Sequence, residues 1–266
     1  MSDKEPRHIL NISGGKDSSA LAIFMRDRVQ GMEYVFCDTQ KELPETYEYL
    51  DKLEVYLGKK IVRLNAERGF DHWLKVYGGY LPSSRMRWCT RQLKIKPLED
   101  YVGTDNVVSY VGIRADEDRE GYISTKPNIR AVFPFKEHGL TKTDVFRILD
   151  ESGVGVPSYY AWRSRSGCYF CFFQQQEEWL GLKENHPELF VEAKSYEKLD
   201  TETGQSYQWS QSLSLEELAD PLRAAQIRSR ANSRRTASKG SSRLLEVLQE
   251  QDDLDPEDRA CLVCDL

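Results

Sequence analysis

The chain has 266 residues, 30% of them charged, with a net charge of −6. That length supports one substantial core with at most a small appendage. The acidic balance excludes an all-over nucleic-acid binder, and no apolar run approaches the roughly 20 residues of a membrane span.

In chain order, His8-Ile9-Leu10-Asn11-Ile12 reads as a first strand. Ser13-Gly14-Gly15-Lys16-Asp17-Ser18 follows, and then a helix-like run, Ala20 to Met25. This is a strand, a glycine turn and a helix start. Two glycines let the backbone turn sharply and let N–H groups approach an anion. The helix N-terminus adds partial positive charge, Lys16 adds a full one, and Ser13 and Ser18 can donate hydroxyl hydrogen bonds. The expected ligand is a phosphate chain. The spacing is not that of a Walker A loop, because Lys16 follows Gly15 with no four-residue interval before the Gly-Lys pair. Asp17 beside the lysine would repel a phosphate unless a cation lies between them, so Asp17 is expected to be a Mg²⁺ ligand. The bland alternative is an ordinary strand-to-helix turn capped by Ser or Asp.

Glu33 to Cys37 reads as a second strand, and Pro44 to Leu57 as a helix with proline in its first turn. Lys60 to Leu64 reads as a third strand and Val107 to Val111 as a fourth. Thr141-Lys142-Thr143-Asp144 has the pattern of a capping box, opening a helix to about Ser152 that Gly153 ends. Such alternation predicts an α/β fold, a parallel sheet with helices on both faces and ligands at the carboxyl ends of its strands. Asp38, at the end of the second strand, is expected to bind metal or adenosine hydroxyls, or else to cap a turn. From about Thr201 the composition shifts to Ser, Gln, Glu and Arg. This divides the chain into a domain over 1–200 and a helical or partly disordered tail over 201–266.

Arg85, Arg87, Arg91, Lys94 and Lys96 form a basic cluster with no intervening acid. Arg91 and Lys94 share a face if the segment is helical, and suit a nucleotide or an anionic acceptor; a solvated charged face is the plain reading. No signal core opens the chain at Met1 to Glu5, so a cytoplasmic location is expected. The six cysteines then read as thiols or metal ligands. Cys168-x-x-Cys171 is a ligand pair that Cys89 could join, holding zinc or [4Fe–4S] with a fourth ligand unknown. A redox or persulfide-carrying pair and buried structural thiols are the other readings. Cys261 and Cys264 near the C-terminus could relay sulfur or complete that metal site. Between Pro221 and Leu245 lie seven basic residues and no acid, a pattern that fits either a DNA phosphate contact without base reading or an acidic partner's docking face.

The Ser13 to Ser18 loop, Asp38 to Thr46, Trp88 to Pro97, Gly112 to Glu117 and Ser166 to Cys171, in this order, resemble the PP-loop ATP pyrophosphatases. Within them the chain is similar to the phosphoadenosine-phosphosulfate reductase-like branch, and most of all to the ATP-pyrophosphatase component of Ssp and Dnd DNA phosphorothioation systems. The resemblance implies an adenine-nucleotide α-hydrolase-like sheet of Rossmann type. It also implies cleavage of ATP with Mg²⁺ between the α and β phosphates, adenylation of an acceptor oxygen, and displacement of AMP by sulfur. Lys16, Asp17 and Arg114 are the catalytic residues it implies, with Arg114 in a Gly-x-Arg motif over the nucleotide phosphates. A cysteine desulfurase, DNA and other phosphorothioation subunits are the implied partners. Gln40 stands where the family has glycine after Asp-Thr, and Asp118 where it has serine. The alternative is a sulfonucleotide reductase, although the Glu-Cys-Gly-Leu-His tail of those enzymes is missing.

Overall fold

The computed structural model describes residues 5–118, 124–199, 206–210 and 213–237. Its centre is a five-stranded parallel sheet of β1 (Arg7–Asn11), β2 (Glu33–Asp38), β3 (Ile61–Asn65), β4 (Val107–Tyr110) and β5 (Ile129–Val132), in the order β3-β2-β1-β4-β5. The α/β fold class is the one the alternation predicts. Ile9 pairs with Glu33 of β2 on one side and Ser109 of β4 on the other, so β1 is central. A parallel sheet needs both faces covered, and its strands alternate apolar residues onto each. Leu10, Tyr34, Phe36 and Val108 pack beneath α1 (Lys16–Met25), α2 (Pro44–Leu57) and α7 (Lys142–Glu151). Ile9, Val35, Cys37 and Val107 face Leu98 and Val102 on the opposite side.

Several elements follow local sequence rules. Helix α2 opens on Pro44 and stops at Gly58, whose φ of 63° suits the left-handed C-cap. Helix α7 opens on the capping residues read above: the Asp144 carboxylate accepts the Thr141 N–H at 2.9 Å and its hydroxyl at 3.0 Å. Between β3 and β4 come α3 (Phe70–Val76), α4 (Trp88–Thr90), a π turn over Arg91–Ile95 and α5 (Lys96–Val102). Pro97 has no N–H to donate and its ring crowds an α-helical carbonyl one turn back. The wider turn just before it accommodates both effects. It also directs the Lys94 carbonyl to the Cys37 thiol, which donates to it at 3.5 Å.

A second core lies at the carboxyl end of the sheet. Phe70, Trp88, Tyr159, Trp179 and Phe190 meet there with Trp209, Leu215, Leu218 and Ile227. Apart from Trp209, which precedes α10, these come from α3 and α4, from a 3-10 turn at Ser158–Ala161, and from α8 (Gln176–Asn185), α9 (Pro187–Ser195), α10 (Leu215–Leu218) and α11 (Pro221–Ala237). The short α6 (Pro134–Glu137) places Phe135 in the first core. The sequence boundary near Thr201 falls between β6 (Lys198–Leu199) and β7 (Ser206–Tyr207), which pair antiparallel. The core therefore continues through α10 into α11, because Trp209, Leu215, Leu218 and Ile227 supply the apolar anchors that a polar average composition conceals. Cys261, Cys264, Lys239 and Arg243 lie outside the described residues. Among the described residues no helix is long and apolar enough to cross a membrane.

Candidate functional site

In the order β3-β2-β1-β4-β5 the direction of winding reverses between β1 and β4. Open parallel sheets place their crevice at the carboxyl ends of such a strand pair. Two segments leave there: residues 12–15 into α1, and residues 111–118 after β4. They touch closely. A Cβ at Gly112 would come within 3.2 Å of the Asp17 carbonyl carbon, a backbone atom with little freedom to move. Gly14 adopts φ +75°, and a Cβ there would strike the Thr46 methyl at 2.6 Å. Glycine is required at Gly14 by conformation as well as approach, and at Gly112 any side chain would have to push the α1 backbone back by a few tenths of an ångström.

Charge is concentrated where the segments meet. The Asp17 carboxylate holds Lys16 Nζ at 3.2 Å through Oδ2 and Arg114 Nη1 at 2.9 Å through Oδ1. Arg114 also reaches Glu117 at 2.7 Å and Asp116 at 3.0 Å. Lys16 is 3% exposed and Arg114 4%. Burial works to lower the Arg114 pKa, yet the charges of Asp17, Glu117 and Asp116 outweigh it and raise it. The guanidinium is therefore charged at any working pH.

Both Asp17 oxygens are engaged by cations, so Asp17 holds Lys16 and Arg114 together. Among the described residues no three His, Cys, Asp or Glu side chains gather as a metal site. Ser18 Oγ accepts the Ser13 N–H at 3.1 Å and donates to the Gly15 carbonyl at 3.3 Å. Ser13 Oγ accepts from Ser166 Oγ at 3.2 Å. These hydroxyls hold the loop's shape.

Asp38 acts at the turn. Its Oδ1 accepts the Gln40 N–H and the Tyr47 hydroxyl, both at 2.8 Å. Gln40 sits at φ +60°, the conformation that makes glycine usual at this position in the family resembled. Arg91 and Lys94 do not share an environment. Arg91 is exposed and Lys94 is 9% exposed, because the π turn separates two positions that an α-helix would align.

Cys168 lies near the carboxyl end of β2, its Sγ 3.1 Å from Thr39 Oγ1 and 3.8 Å from Glu42 Oε1. Cys89, Cys168 and Cys171 are not in disulfides, and they are not gathered as a three-ligand group. Burial, then the Glu42 charge, holds the Cys168 thiol well above its usual pKa. It is protonated at neutral pH and is not a poised thiolate. Burial also raises the Glu42 pKa, against the pull of Lys94, the Thr39 hydroxyl and Arg163. In the unfolded chain this carboxyl ionises near its ordinary value, so above that pH the folded state holds the extra proton and stability falls as pH rises. Glu42→Gln keeps the acceptor for the Thr39 hydroxyl, now at 2.8 Å. It should melt at a higher temperature than the parent at pH 7, with the gap closing below about pH 4. A parent that melts higher at pH 7 would contradict this assignment.

The sequence reading missed the wall over the loop. Tyr159 donates to the Gly14 carbonyl at 2.8 Å, and the Tyr160 hydroxyl accepts the Lys16 N–H at 3.1 Å. The Tyr160 ring lies 5.4 Å from Lys16 Nζ. Nothing in Ser158-Tyr159-Tyr160-Ala161 marks it as a neighbour of residues so distant in sequence; the only signal there was the Ser166 to Cys171 stretch just beyond.

A family profile for the phosphoadenosine phosphosulfate reductase domain matches residues 7–172, more than half of the chain. The chain belongs to this family. An uncharacterized protein of Methanocaldococcus jannaschii is 30% identical over 192 residues, which are 67% of this chain and 38% of that protein. An uncharacterized 37.8 kDa protein of Escherichia phage 186 is 26% identical, over 72% of this chain and 75% of its own length. The chain spans less than half the length of two M. jannaschii relatives that it matches. A solved structure that the chain matches is the phosphoadenylyl-sulfate reductase of Candida auris in a phosphate complex. It is 14% identical, with a TM-score of 0.49, over 62% of this chain and 82% of that one.

Proposed function

We propose that this family member is an adenylating ATP pyrophosphatase. The observation that carries the reading is the convergence of Lys16 and Arg114, both almost fully buried, on one carboxylate at the β1–β4 crevice. Two fixed cations beside a helix N-terminus form a preorganised site for the charge that develops on a departing pyrophosphate. In the proposed reaction an acceptor oxygen attacks the α-phosphorus. The bond to the α–β bridging oxygen breaks, and pyrophosphate leaves with its charge against Lys16, Arg114 and the loop. A sulfur nucleophile then displaces AMP from the acceptor.

The tight fit of Gly14 against Thr46 supports a loop shaped for close backbone approach. Mg²⁺ when bound would offset phosphate charge, and in this reading it is carried by the nucleotide. The acceptor we propose is a DNA backbone phosphate, with sulfur from a cysteine desulfurase and the other phosphorothioation subunits as partners. Its support is the motif resemblance together with α11, an exposed helix carrying Arg223, Arg228 and Arg230 and no acid. Incubation with ATP and Mg²⁺ should release pyrophosphate and AMP-linked product when DNA and the desulfurase are supplied. Orthophosphate as the product would refute α–β cleavage. Sulfite released from a sulfonucleotide with thioredoxin would select reductase chemistry instead.

A further inference from the structure

Both cations of the proposed phosphate site are closed off from solvent. Ser13, Gly14, Gly15 and Lys16 are all buried, and Arg114 is 4% exposed. Tyr160 lies over the loop. Its hydroxyl accepts the Lys16 N–H at 3.1 Å, and its ring centroid is 5.4 Å from Lys16 Nζ. A Cβ on Gly15 would meet the Tyr160 hydroxyl at 3.3 Å and Ser166 Oγ at 2.7 Å, so both groups rest directly on the loop.

The Lys16 N–H is the first of helix α1, one of the donors that a helix N-terminus turns toward an anion. Tyr160 therefore occupies a donor, and covers a cation, that the phosphate chain of a nucleotide would use. The backbone on either side of it is anchored. Tyr159, 1% exposed, donates to the Gly14 carbonyl at 2.8 Å. Arg163, 2% exposed, donates to the Gly167 and Cys168 carbonyls, and the Glu178 carboxylate accepts both the N–H and the hydroxyl of Ser164. Tyr160 itself is half-buried. The part able to move is thus its side chain, not the segment.

We propose that Tyr160 is a gate on the phosphate loop: its hydroxyl stands in for a phosphate oxygen in the empty site and swings out when a nucleotide binds. This rests on the adenylation reading for the ligand that enters. A stand-in of this kind keeps a buried N–H hydrogen-bonded, and a buried ammonium against a ring, while the site is empty. It also lowers affinity, because only the fraction of molecules with the side chain displaced can bind.

Calorimetry of the full chain with Mg²⁺ and α,β-methylene-ATP, which α–β cleavage cannot consume, supplies the test. Tyr160→Phe keeps the ring and removes the hydroxyl. The Lys16 N–H then loses that bond in the empty site and gains one from phosphate. Tyr160→Phe should bind the analogue about three- to tenfold more tightly than the parent, the scale of one hydrogen bond. Inorganic pyrophosphate should show the same gain, and adenosine none, because the gate covers only the phosphate loop. Tyr159→Phe, which loses the bond to the Gly14 carbonyl, should melt at a lower temperature with no gain in affinity. Should Tyr160→Phe fail to fold, Tyr160→Leu, which also lacks the hydroxyl, carries the same expectation.

Binding by Tyr160→Phe that is weaker than the parent's, or within about twofold of it, would overturn the gate, since a hydroxyl that only shapes the loop gives no gain when removed. An equal gain with adenosine, or in Tyr159→Phe, would overturn it too, as would binding of the analogue by neither protein. Binding by the variant alone would mean a gate that stays shut in the parent. Pyrophosphate release from ATP, with DNA and the desulfurase supplied, judges the adenylation reading separately. Tighter binding by Tyr160→Phe without that release leaves the gate standing and the reading fallen; release without tighter binding does the reverse.

Discussion

Arg114→Ala is expected to lower the free energy of unfolding by about 3–5 kcal/mol and to stop pyrophosphate release. The side chain is 5% exposed and contacts Asp17, Asp116 and Glu117 at once, of which Glu117 is 4% exposed and Asp17 15%. Removing the guanidinium leaves these carboxylates together in a low-dielectric pocket without the cation that joins them. A lone buried charge costs far more than the pair it came from contributed. Arg114→Lys should recover only part of the loss, since one ammonium cannot reach Asp116 and Glu117 in the directions of Nε and Nη1. Adding Glu117→Gln to Arg114→Ala should restore stability without restoring activity. Urea unfolding at pH 7 reads the first effect and pyrophosphate release reads the second. A loss below about 1 kcal/mol would mean that the carboxylates find water easily, and the crevice is then less closed than its burial indicates.

What the sequence made legible was local chemistry. Thr141 to Asp144 fixed the start of α7, and Pro44 with Gly58 bounded α2, because caps and breakers act within a turn of themselves. The glycine pair placed the loop after β1 for the same reason. β5 went unread because Ile129-Arg130-Ala131-Val132 is only four residues long, beside a segment with no apolar run. The π turn required Pro97 and the Lys94 carbonyl to be weighed together with Cys37 of a different strand. Tyr159 and Tyr160 reach the loop through contacts made by tertiary packing. No periodicity encodes them. The serines of the loop illustrate the converse: their type was informative, but the partner of each hydroxyl was set by the fold, and that partner was the loop itself.

Lys16→Met should cut pyrophosphate release by about 10²–10³-fold, the scale on which one preorganised charge at a developing anion acts. Methionine preserves the length of the buried stem, and Asp17 keeps Arg114 at 2.9 Å as its counter-ion. The loss should therefore appear in kcat with little change in melting temperature, whereas Arg114→Ala loses stability as well as activity. The companion substitution Asp17→Asn separates the two roles available to that carboxylate. As the anchor of Lys16 and Arg114 it sets their positions, and its loss should lower kcat about a hundredfold at every Mg²⁺ concentration. As a metal ligand it would set the Mg²⁺ requirement, and excess Mg²⁺ or Mn²⁺ would then recover the rate. The two cations already on its oxygens, at 2.9 and 3.2 Å, favour the first outcome. Rescue by metal would return Asp17 to the role expected from its place beside the lysine, with Arg114 leaving Oδ1 when the nucleotide binds.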